Sequence, residues 1–147
     1  MSEPATTKAI VIDASPSQVW RALTTVDLMP KWMSETEMEV ETDWQVGHSI
    51  IIHGRWHKMR FRNAGKVLRF DPGHTLSYSH LSSLSRLPDQ PENYSVITFK
   101  LNSREKQTSV ELTLSNSPTD VIQKHLDLYW NVTLVILKEF VEQQLRG

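Results

Sequence analysis

Residues 118–145 read PTDVIQKHLDLYWNVTLVILKEFVEQQL, and after Pro118 this stretch contains neither Gly nor Pro. Its larger apolar side chains recur every three or four residues, the spacing that places side chains on one face of an α-helix. At about 1.5 Å per residue the helix would be roughly 40 Å long. We therefore predict one long C-terminal helix with a single buried stripe. The residues of this stripe are Ile122, Leu126, Tyr129, Trp130, Leu134, Leu137, Val141 and Leu145.

The chain before this helix alternates apolar and polar side chains from about residue 46 to residue 115, which is typical of antiparallel strands. The clearest apolar sets are Leu76, Tyr78 and His80; Ile97, Phe99 and Leu101; and Val110, Leu112 and Leu114. A sheet with one apolar face needs one covering layer, because its other face can remain in water. The long helix can supply that layer, so the sequence predicts an α+β fold in which the helix lies on one face of an antiparallel sheet.

Two similar phrases, ASPSQVWRAL at 14–23 and NSPTDVI at 116–122, predict helix starts. Serine is a preferred N-cap, and proline is suited to the first helical position. We therefore expect Ser15 to cap a helix from Pro16 to about Thr24, and Ser117 to cap the long helix.

Two further elements are predicted in the first third of the chain. The β-branched run from Lys8 to Asp13 predicts a strand directly before the first helix. A second short helix is expected at Asp27–Trp32, with Asp27 as its cap and Trp32 pointing inward. The predicted order is thus strand, two short helices, several strands and one long helix.

The composition narrows the classes of function. A chain of 147 residues has the size of one domain, so we expect a single domain over residues 1–147. Its 16 Lys and Arg nearly balance 17 Asp and Glu, which argues against nucleic-acid binding. No cysteine is present, and the N-terminus has no apolar signal core. We therefore expect a cytoplasmic protein without a membrane span, either a monomer or a weak homodimer.

Several phrases together resemble a known family. They are IDASPSQVWRALT, DLMPKWM, VGHSIII, GKVLRFDPGHTLSYS, SVITFKL and YWNVTLVILKEFVE. With the predicted order of elements, they resemble the activator of heat-shock protein 90 ATPase branch of the START and birch-pollen-allergen superfamily. The resemblance covers essentially the whole chain. It implies a helix-grip fold, in which a curved antiparallel sheet wraps around the long helix, and a pocket between sheet and helix for lipids, sterols or aromatic molecules.

The expected function is the binding of a small apolar or aromatic molecule in that pocket. The side chains predicted on or near its wall are Trp32, Tyr78, His80, Phe99, Tyr129 and Trp130. Tyr78 and His80 would orient a ligand by hydrogen bonds, and the other four would supply aromatic surface. The same residues are also compatible with an ordinary aromatic core and, for His80, with a structural histidine.

Two alternative functions remain at this point. A cyclase, dehydratase or hydrolase would use His80 and Tyr78 as acid and base. A co-chaperone would contact heat-shock protein 90, but the eukaryotic activators carry an additional N-terminal domain for which residues 1–147 leave no room. We therefore expect little effect on the chaperone's ATP turnover and favour ligand binding.

Motifs for cofactors and metals are not found in the sequence. There is no nucleophile elbow, phosphate-binding glycine loop or dinucleotide fingerprint, so no catalytic residue and no cofactor is predicted. His53 and His57 have a four-residue spacing, but Gly54 predicts a turn between them rather than a helix. No metal site is predicted.

Overall fold

A computed structural model of the chain describes residues 4–56 and 58–146. It contains seven strands and three α-helices, with two short 3₁₀ turns at Ser83–Ser85 and Pro91–Asn93. The elements in chain order are β1 Thr6–Ile12, α1 Pro16–Thr24, α2 Met29–Met33, β2 Met38–Glu41, β3 Ser49–Trp56, β4 Met59–Asp71, β5 Thr75–Ser82, β6 Ser95–Arg104, β7 Gln107–Ser115 and α3 Asp120–Arg146.

All seven strands form one antiparallel sheet in the order β1-β7-β6-β5-β4-β3-β2. The sheet is curved, and the long helix α3 lies against its concave face, as the helix-grip prediction requires. The ladder between β4 and β5 shifts register between Val67 and Arg69, and such bulges increase the local bend and twist of a sheet. Nearby, Gly65 passes so close to β5 that a Cβ atom there would lie 1.7 Å from the Ser79 carbonyl oxygen. Only glycine fits this close approach.

The predicted strand faces are confirmed. Leu76 and Tyr78 on β5 are buried, and so are the predicted residues of β6 and β7, which the register places beside them. The concave face is therefore apolar along its centre and packs against α3, as alternation predicts for a sheet covered on one side.

Polar contacts fix α3 along the edge strand β1. Gln123 Nε2 donates to Thr6 Oγ1 at 2.7 Å, Thr6 Oγ1 donates to Asp127 Oδ1 at 2.7 Å, and Lys138 Nζ donates to the Val11 carbonyl at 2.9 Å. The two bonds that involve Asp127 and Lys138 are charge-assisted, a type that is among the stronger ones in proteins. The helix axis is thus held at one side of the sheet, and α2 covers its other side.

The buried stripe of α3 is shorter than predicted. Leu126, Trp130, Leu134, Leu137 and Val141 are buried, but Leu145 is 47% exposed. Just beyond the end of β1, Glu142 Oε2 accepts from the Asp13 amide at 2.8 Å. Leu145 lies about one turn beyond that contact, past the level of the last β1 residue, Ile12.

The two Ser-Pro phrases have different outcomes. Ser15 caps α1 in a capping box with Gln18, as predicted. Ser117 does not cap α3: it is fully buried, and its hydroxyl lies 3.3 Å from that of Ser95. The cap is Thr119, whose Oγ1 accepts from the Ile122 amide at 3.2 Å.

The second short helix also begins later than predicted. Asp27 is not its cap; the N-cap is Leu28, which has no side-chain hydrogen bond, and α2 runs from Met29. The amides of Leu28 and Met29 both bond to the Thr25 carbonyl, at 2.9 and 3.1 Å. The preceding turn therefore already satisfies donors that an Asp27 carboxylate would have accepted from.

Candidate ligand-binding site

Four of the six predicted site residues form one aromatic cluster between the sheet and α3. The ring of Trp130 lies 6.3 Å from Trp32, 5.4 Å from Phe99 and 5.1 Å from Tyr129, measured between ring centroids. These are distances at which tilted or edge-to-face aromatic pairs attract. The cluster joins α2, β6 and α3, and it contains the two largest fully buried side chains, Trp32 and Trp130.

Two polar atoms of this cluster are bonded to the backbone. Trp32 Nε1 donates to the Ala22 carbonyl at 3.0 Å, and the Tyr129 hydroxyl donates to the Met33 carbonyl at 2.6 Å. Burial raises the pKa of Tyr129 to about 12. The cluster is therefore a buried, apolar set of rings, and these two hydrogen bonds link the three helices.

The remaining two predicted residues, Tyr78 and His80, lie on the same face of β5, where the burial of the side chains decreases along the strand. Tyr78 is buried, whereas His80 and Ser82 on the same face are half-buried. Burial, with a smaller effect of the nearby Tyr129, raises the pKa of Tyr78 well above its ordinary value. Burial, with a smaller effect of His125, lowers the pKa of His80 to about 4. Both side chains are thus neutral at pH 7 and can act there as hydrogen-bonding groups.

Asn63 on β4 is a site residue that the sequence interpretation missed. It pairs with the buried Ile52 of β3, so it lies on the concave face two residues from Gly65. Its Oδ1 atom is buried and has no hydrogen-bond partner in the described part of the chain. The signal in the sequence is the two-residue period of a strand. Counted back from Val67 on β4, this period places Asn63 on the concave face.

A second buried acceptor without a partner lies on α3. Gln123 is 6% exposed, and its Nε2 is used by Thr6, but its Oε1 has no partner among the described residues. Buried carbonyl oxygens are seldom left unpaired, because the loss of their hydration costs about 1–3 kcal/mol. We use the name polar end for the set of Asn63, Tyr78 and His80, which lie on the neighbouring strands β4 and β5; Gln123 bonds to the edge strand β1 and is not part of it.

Two depressions lie on the described surface, and neither is lined by any of the six predicted residues. One of about 400 Å³ is lined by Glu37, His53, Gly54, Arg55, Arg60, Phe61, Arg62 and Ser83. The other, of about 430 Å³, is lined by Glu41, Thr42, Asp43, His48, Ser49 and Ile51. The first one borders the polar end, because Phe61 pairs with Gly54 and shares the concave face with Asn63.

On the opposite, convex face, His53 lies between two carboxylates of β2. Its Nε2 is 3.5 Å from Glu39 Oε2 and 3.3 Å from Glu41 Oε1, and all three side chains are exposed or half-exposed. These are ion-pair contacts across neighbouring strands, and we assign no metal to them. His57, the other histidine of the predicted pair, lies outside the described residues, and β3 continues through Gly54 to Trp56 where a turn had been expected.

Comparisons with known proteins agree with this architecture. The solution structure of ChR145 from Cytophaga hutchinsonii is 34% identical, with a TM-score of 0.81, and the match covers 100% of this chain and 99% of that chain. The structure described as the Aha1 dimer from Colwellia psychrerythraea is 29% identical, with a TM-score of 0.72 and coverage of 95% and 97%. CalU16 from Micromonospora echinospora, 19% identical with a TM-score of 0.72 and coverage of 97% and 78%, shares the fold.

No curated protein matches the chain, and within its described part no helix is both long and apolar enough to cross a membrane. A family model matches residues 13–142, from the end of β1 to the last turns of α3. The chain therefore belongs to the family described as activator of Hsp90 ATPase homolog 1-like protein.

Proposed function

We propose that this protein binds a small apolar or aromatic molecule between the concave face of the sheet and α3. The observation that carries the proposal is the unpaired, buried Oδ1 atom of Asn63, on the same face as the half-buried His80. An acceptor that lacks a partner inside the protein is available to a ligand donor. Membership of the family supports a binding module in general terms.

The proposed ligand has an apolar body and at least one hydrogen-bond donor. The aromatic cluster around Trp130 offers ring surface, and Phe99 and Trp32 are the side chains beside it. The polar end offers Asn63 Oδ1 as an acceptor. Because His80 and Tyr78 are neutral at pH 7, a neutral hydroxyl or amide is favoured over a charged group.

The proposed entrance is the end of the sheet where burial decreases. Along β4, Gly65 and Val67 are buried whereas Phe61 and Asn63 are half-buried, and β5 shows the same decrease at His80. The depression lined by Phe61 adjoins this end. A ligand would pass between the β3–β4 hairpin and the N-terminal half of α3.

A pair of probes that differ only in a donor tests the proposal. Naphthol carries a hydroxyl that naphthalene lacks, so it should bind about 5- to 10-fold more tightly, the value of one net hydrogen bond. Binding is measured by quenching of the tryptophan emission. Asn63→Leu should remove the preference for naphthol while leaving naphthalene binding in place.

Lys66→Leu is the matched control, because Lys66 lies on the same strand but is exposed. It should leave both affinities unchanged. Phe99→Trp, which adds volume beside Trp130, should weaken both probes in a chain that still folds by circular dichroism. If neither probe binds the wild type, or if Asn63→Leu keeps the preference for naphthol, the proposed site is wrong.

The family description favours a second candidate, an effect on heat-shock protein 90. The Colwellia relative is described as Aha1, and it matches along nearly the whole of both chains. We nevertheless expect purified protein at micromolar concentration to leave the chaperone's ATP turnover nearly unchanged. Several-fold stimulation would make the co-chaperone function the primary one, whatever the outcome of the naphthol experiment.

A further inference from the structure

The convex face of the β3–β4 hairpin carries three arginines that lie close together. Arg55 is paired directly with Arg60 across the two strands, and Arg62 lies two residues further along β4. Because Ile52 and Asn63 face the concave side, alternation places these three side chains on the convex side. All three are exposed. We call Arg55, Arg60 and Arg62 the arginine cluster.

The arginine cluster is unfavourable for folding alone. Like charges directly opposite each other on a sheet reduce its stability, and no described carboxylate forms an ion pair with any of the three guanidinium groups. By contrast, Arg69 on the same strand pairs with Asp71. The whole chain has a net charge of -1, so the cluster is a local excess of positive charge on a nearly neutral protein. A bound anion would offset the repulsion.

The arginine cluster lines the depression of about 400 Å³, together with Glu37, His53 and Ser83. Glu37 is the only carboxylate among the lining residues, so three guanidinium groups and one carboxylate leave an excess of two positive charges there. The neighbouring carboxylates of Glu39 and Glu41 contact His53. A ligand that neutralises the arginine cluster therefore carries more than a single negative charge.

Ser83 supplies a further donor at the depression. Its Oγ accepts from the Arg62 amide at 2.9 Å, and a serine hydroxyl can donate its proton while it accepts. No acceptor in the described part of the chain receives that proton. The hydroxyl is therefore available to donate to an anion.

We propose that the arginine cluster and Ser83 bind the phosphate group of a phosphate monoester. Such a group carries about 1.5 to 2 negative charges at pH 7 and has three acceptor oxygens, which matches the excess charge of the depression. Guanidinium groups bind phosphate oxygens through paired, charge-assisted hydrogen bonds. The ligand also has an organic part, because the depression lies within the roughly 300–1,000 Å³ of sites for small molecules and exceeds the volume of a phosphate group.

Phenyl phosphate and phenyl sulfate test this assignment. The two esters share their ring and a tetrahedral head group, but the sulfate carries only a single negative charge. Both are titrated into ¹⁵N-labelled protein, in a buffer without phosphate, and the amide chemical shifts are measured. Saturable shifts are expected at Arg55, Arg62 and Ser83. Because the arginines are exposed to water, the dissociation constant of phenyl phosphate should be on the order of 1 mM, and phenyl sulfate should bind about 5-fold more weakly.

Arg62→Gln should weaken phenyl phosphate binding at least about 5-fold, because it removes one of the guanidinium groups. Arg104→Gln is the matched control: it removes the same charge at an exposed position of the β6–β7 hairpin. It should change the dissociation constant less than about 2-fold. Arg60→Gln should weaken binding as Arg62→Gln does, without lowering the midpoint of urea unfolding, because it also removes the repulsion from Arg55.

A lipid head group and a soluble ester can present the same phosphate monoester. Vesicles of phosphatidylcholine that contain phosphatidic acid distinguish these two sources. If the protein sediments with the vesicles and phenyl phosphate releases it, the site binds a lipid head group. If the protein binds phenyl phosphate but stays in the supernatant, the site binds a soluble ester. Both results support the phosphate site.

Three results would overturn the proposal: no saturable shift with phenyl phosphate up to about 10 mM, equal affinities for the two esters, or an equal loss of binding in Arg62→Gln and Arg104→Gln. Displacement of phenyl phosphate by saturating naphthol would overturn it as well, because the arginine cluster and Asn63 lie on opposite faces of the sheet. Failure of the phosphate site and failure of the naphthol site are therefore separate results.

Discussion

The layer between α3 and the sheet has two halves that differ in chemistry. In the C-terminal half, Leu134, Leu137 and Val141 face strands whose inward side chains, such as Val110 and Leu112, are fully buried and apolar. The N-terminal half lies toward the polar end, where the buried Asn63 Oδ1 has no partner among the described residues and His80 is half-buried. One helix and one sheet therefore form both a closed apolar core and a polar, partly open region.

This difference indicates a division of roles. Apolar burial stabilises the fold at about 25 cal/mol per Å², so Leu134, Leu137 and Val141 in the C-terminal half stabilise the packing of α3 without an opposing polar cost. Unpaired acceptors reduce stability, so the polar end is retained at the expense of packing. Binding sites are commonly built in such locally unfavourable regions. The following predictions measure the difference, starting with the largest effect.

The largest effect is expected at Trp130, where the two halves meet. Trp130→Ala removes the ring that contacts Trp32, Phe99 and Tyr129, and it should lower the free energy of unfolding by about 3–5 kcal/mol. Leu128→Ala is the control, because Leu128 lies on the same helix but is 69% exposed; its cost should be below about 0.5 kcal/mol. Urea denaturation measures both. Equal effects would show that the aromatic cluster is not a packed core.

The next-largest effect is a dependence of stability on pH that arises at the polar end. The pKa of His80 is about 4 in the folded state, below its ordinary value of 6.5. Between these pH values the unfolded chain binds a proton that the folded chain does not, so stability should fall as pH is lowered from 6.5 toward 4. The loss should be about 1–3 kcal/mol, given that one unit corresponds to about 1.4 kcal/mol.

The variant His80→Gln should remove this part of the pH dependence, while carboxylates that titrate in the same range affect both proteins alike. His74→Gln, which removes a histidine at an exposed position, is the matched control substitution. Unfolding by urea at several pH values provides the measurement. If the slope of stability against pH is the same in the wild type and in His80→Gln, the His80 side chain is exposed to water in the folded protein.

Much of the fold could be predicted because its signals are local or periodic. The strand faces containing Tyr78 and Phe99 follow from alternation, and the stripe of α3 follows from three- and four-residue spacing. The α1 cap at Ser15 was correct because its capping box lies within four residues. Ser117 stands in an equivalent phrase, yet its role depends on Ser95, 22 residues away.

Less of the candidate site could be predicted from the sequence, for a related reason. The aromatic residues were found because large rings on an apolar face have a clear pattern. Asn63 was not found, because an asparagine between Arg62 and Ala64 has the appearance of an exposed strand residue. Its significance depends on the register between β3 and β4 and on the absence of a partner, and both are properties of tertiary structure.

A smaller effect, of opposite sign, is expected at that residue. Asn63→Leu removes a buried acceptor that has no partner, so it should raise the free energy of unfolding by about 1 kcal/mol. Asn102→Leu, an exposed position on β6, serves as the control and should change stability by less than about 0.5 kcal/mol. Thermal and urea unfolding measure both variants. A loss of stability in Asn63→Leu would mean that the amide is satisfied in solution.

The smallest effect is expected at the start of α3, where the first turn depends on capping. Thr119→Ala removes the acceptor of the Ile122 amide and should cost about 0.5–1 kcal/mol. Hydrogen exchange should accelerate at that amide, because the first turn opens without the rest of the helix. Ser117→Ala is the informative comparison: it leaves the Ser95 hydroxyl without its contact but keeps the cap. Ser117→Ala should therefore lower the global free energy of unfolding. Hydrogen exchange at the Ile122 amide should become faster only by the amount that this global loss of stability explains. If Ser117→Ala instead accelerates exchange at Ile122 as Thr119→Ala does, the helix begins at the Ser-Pro phrase after all.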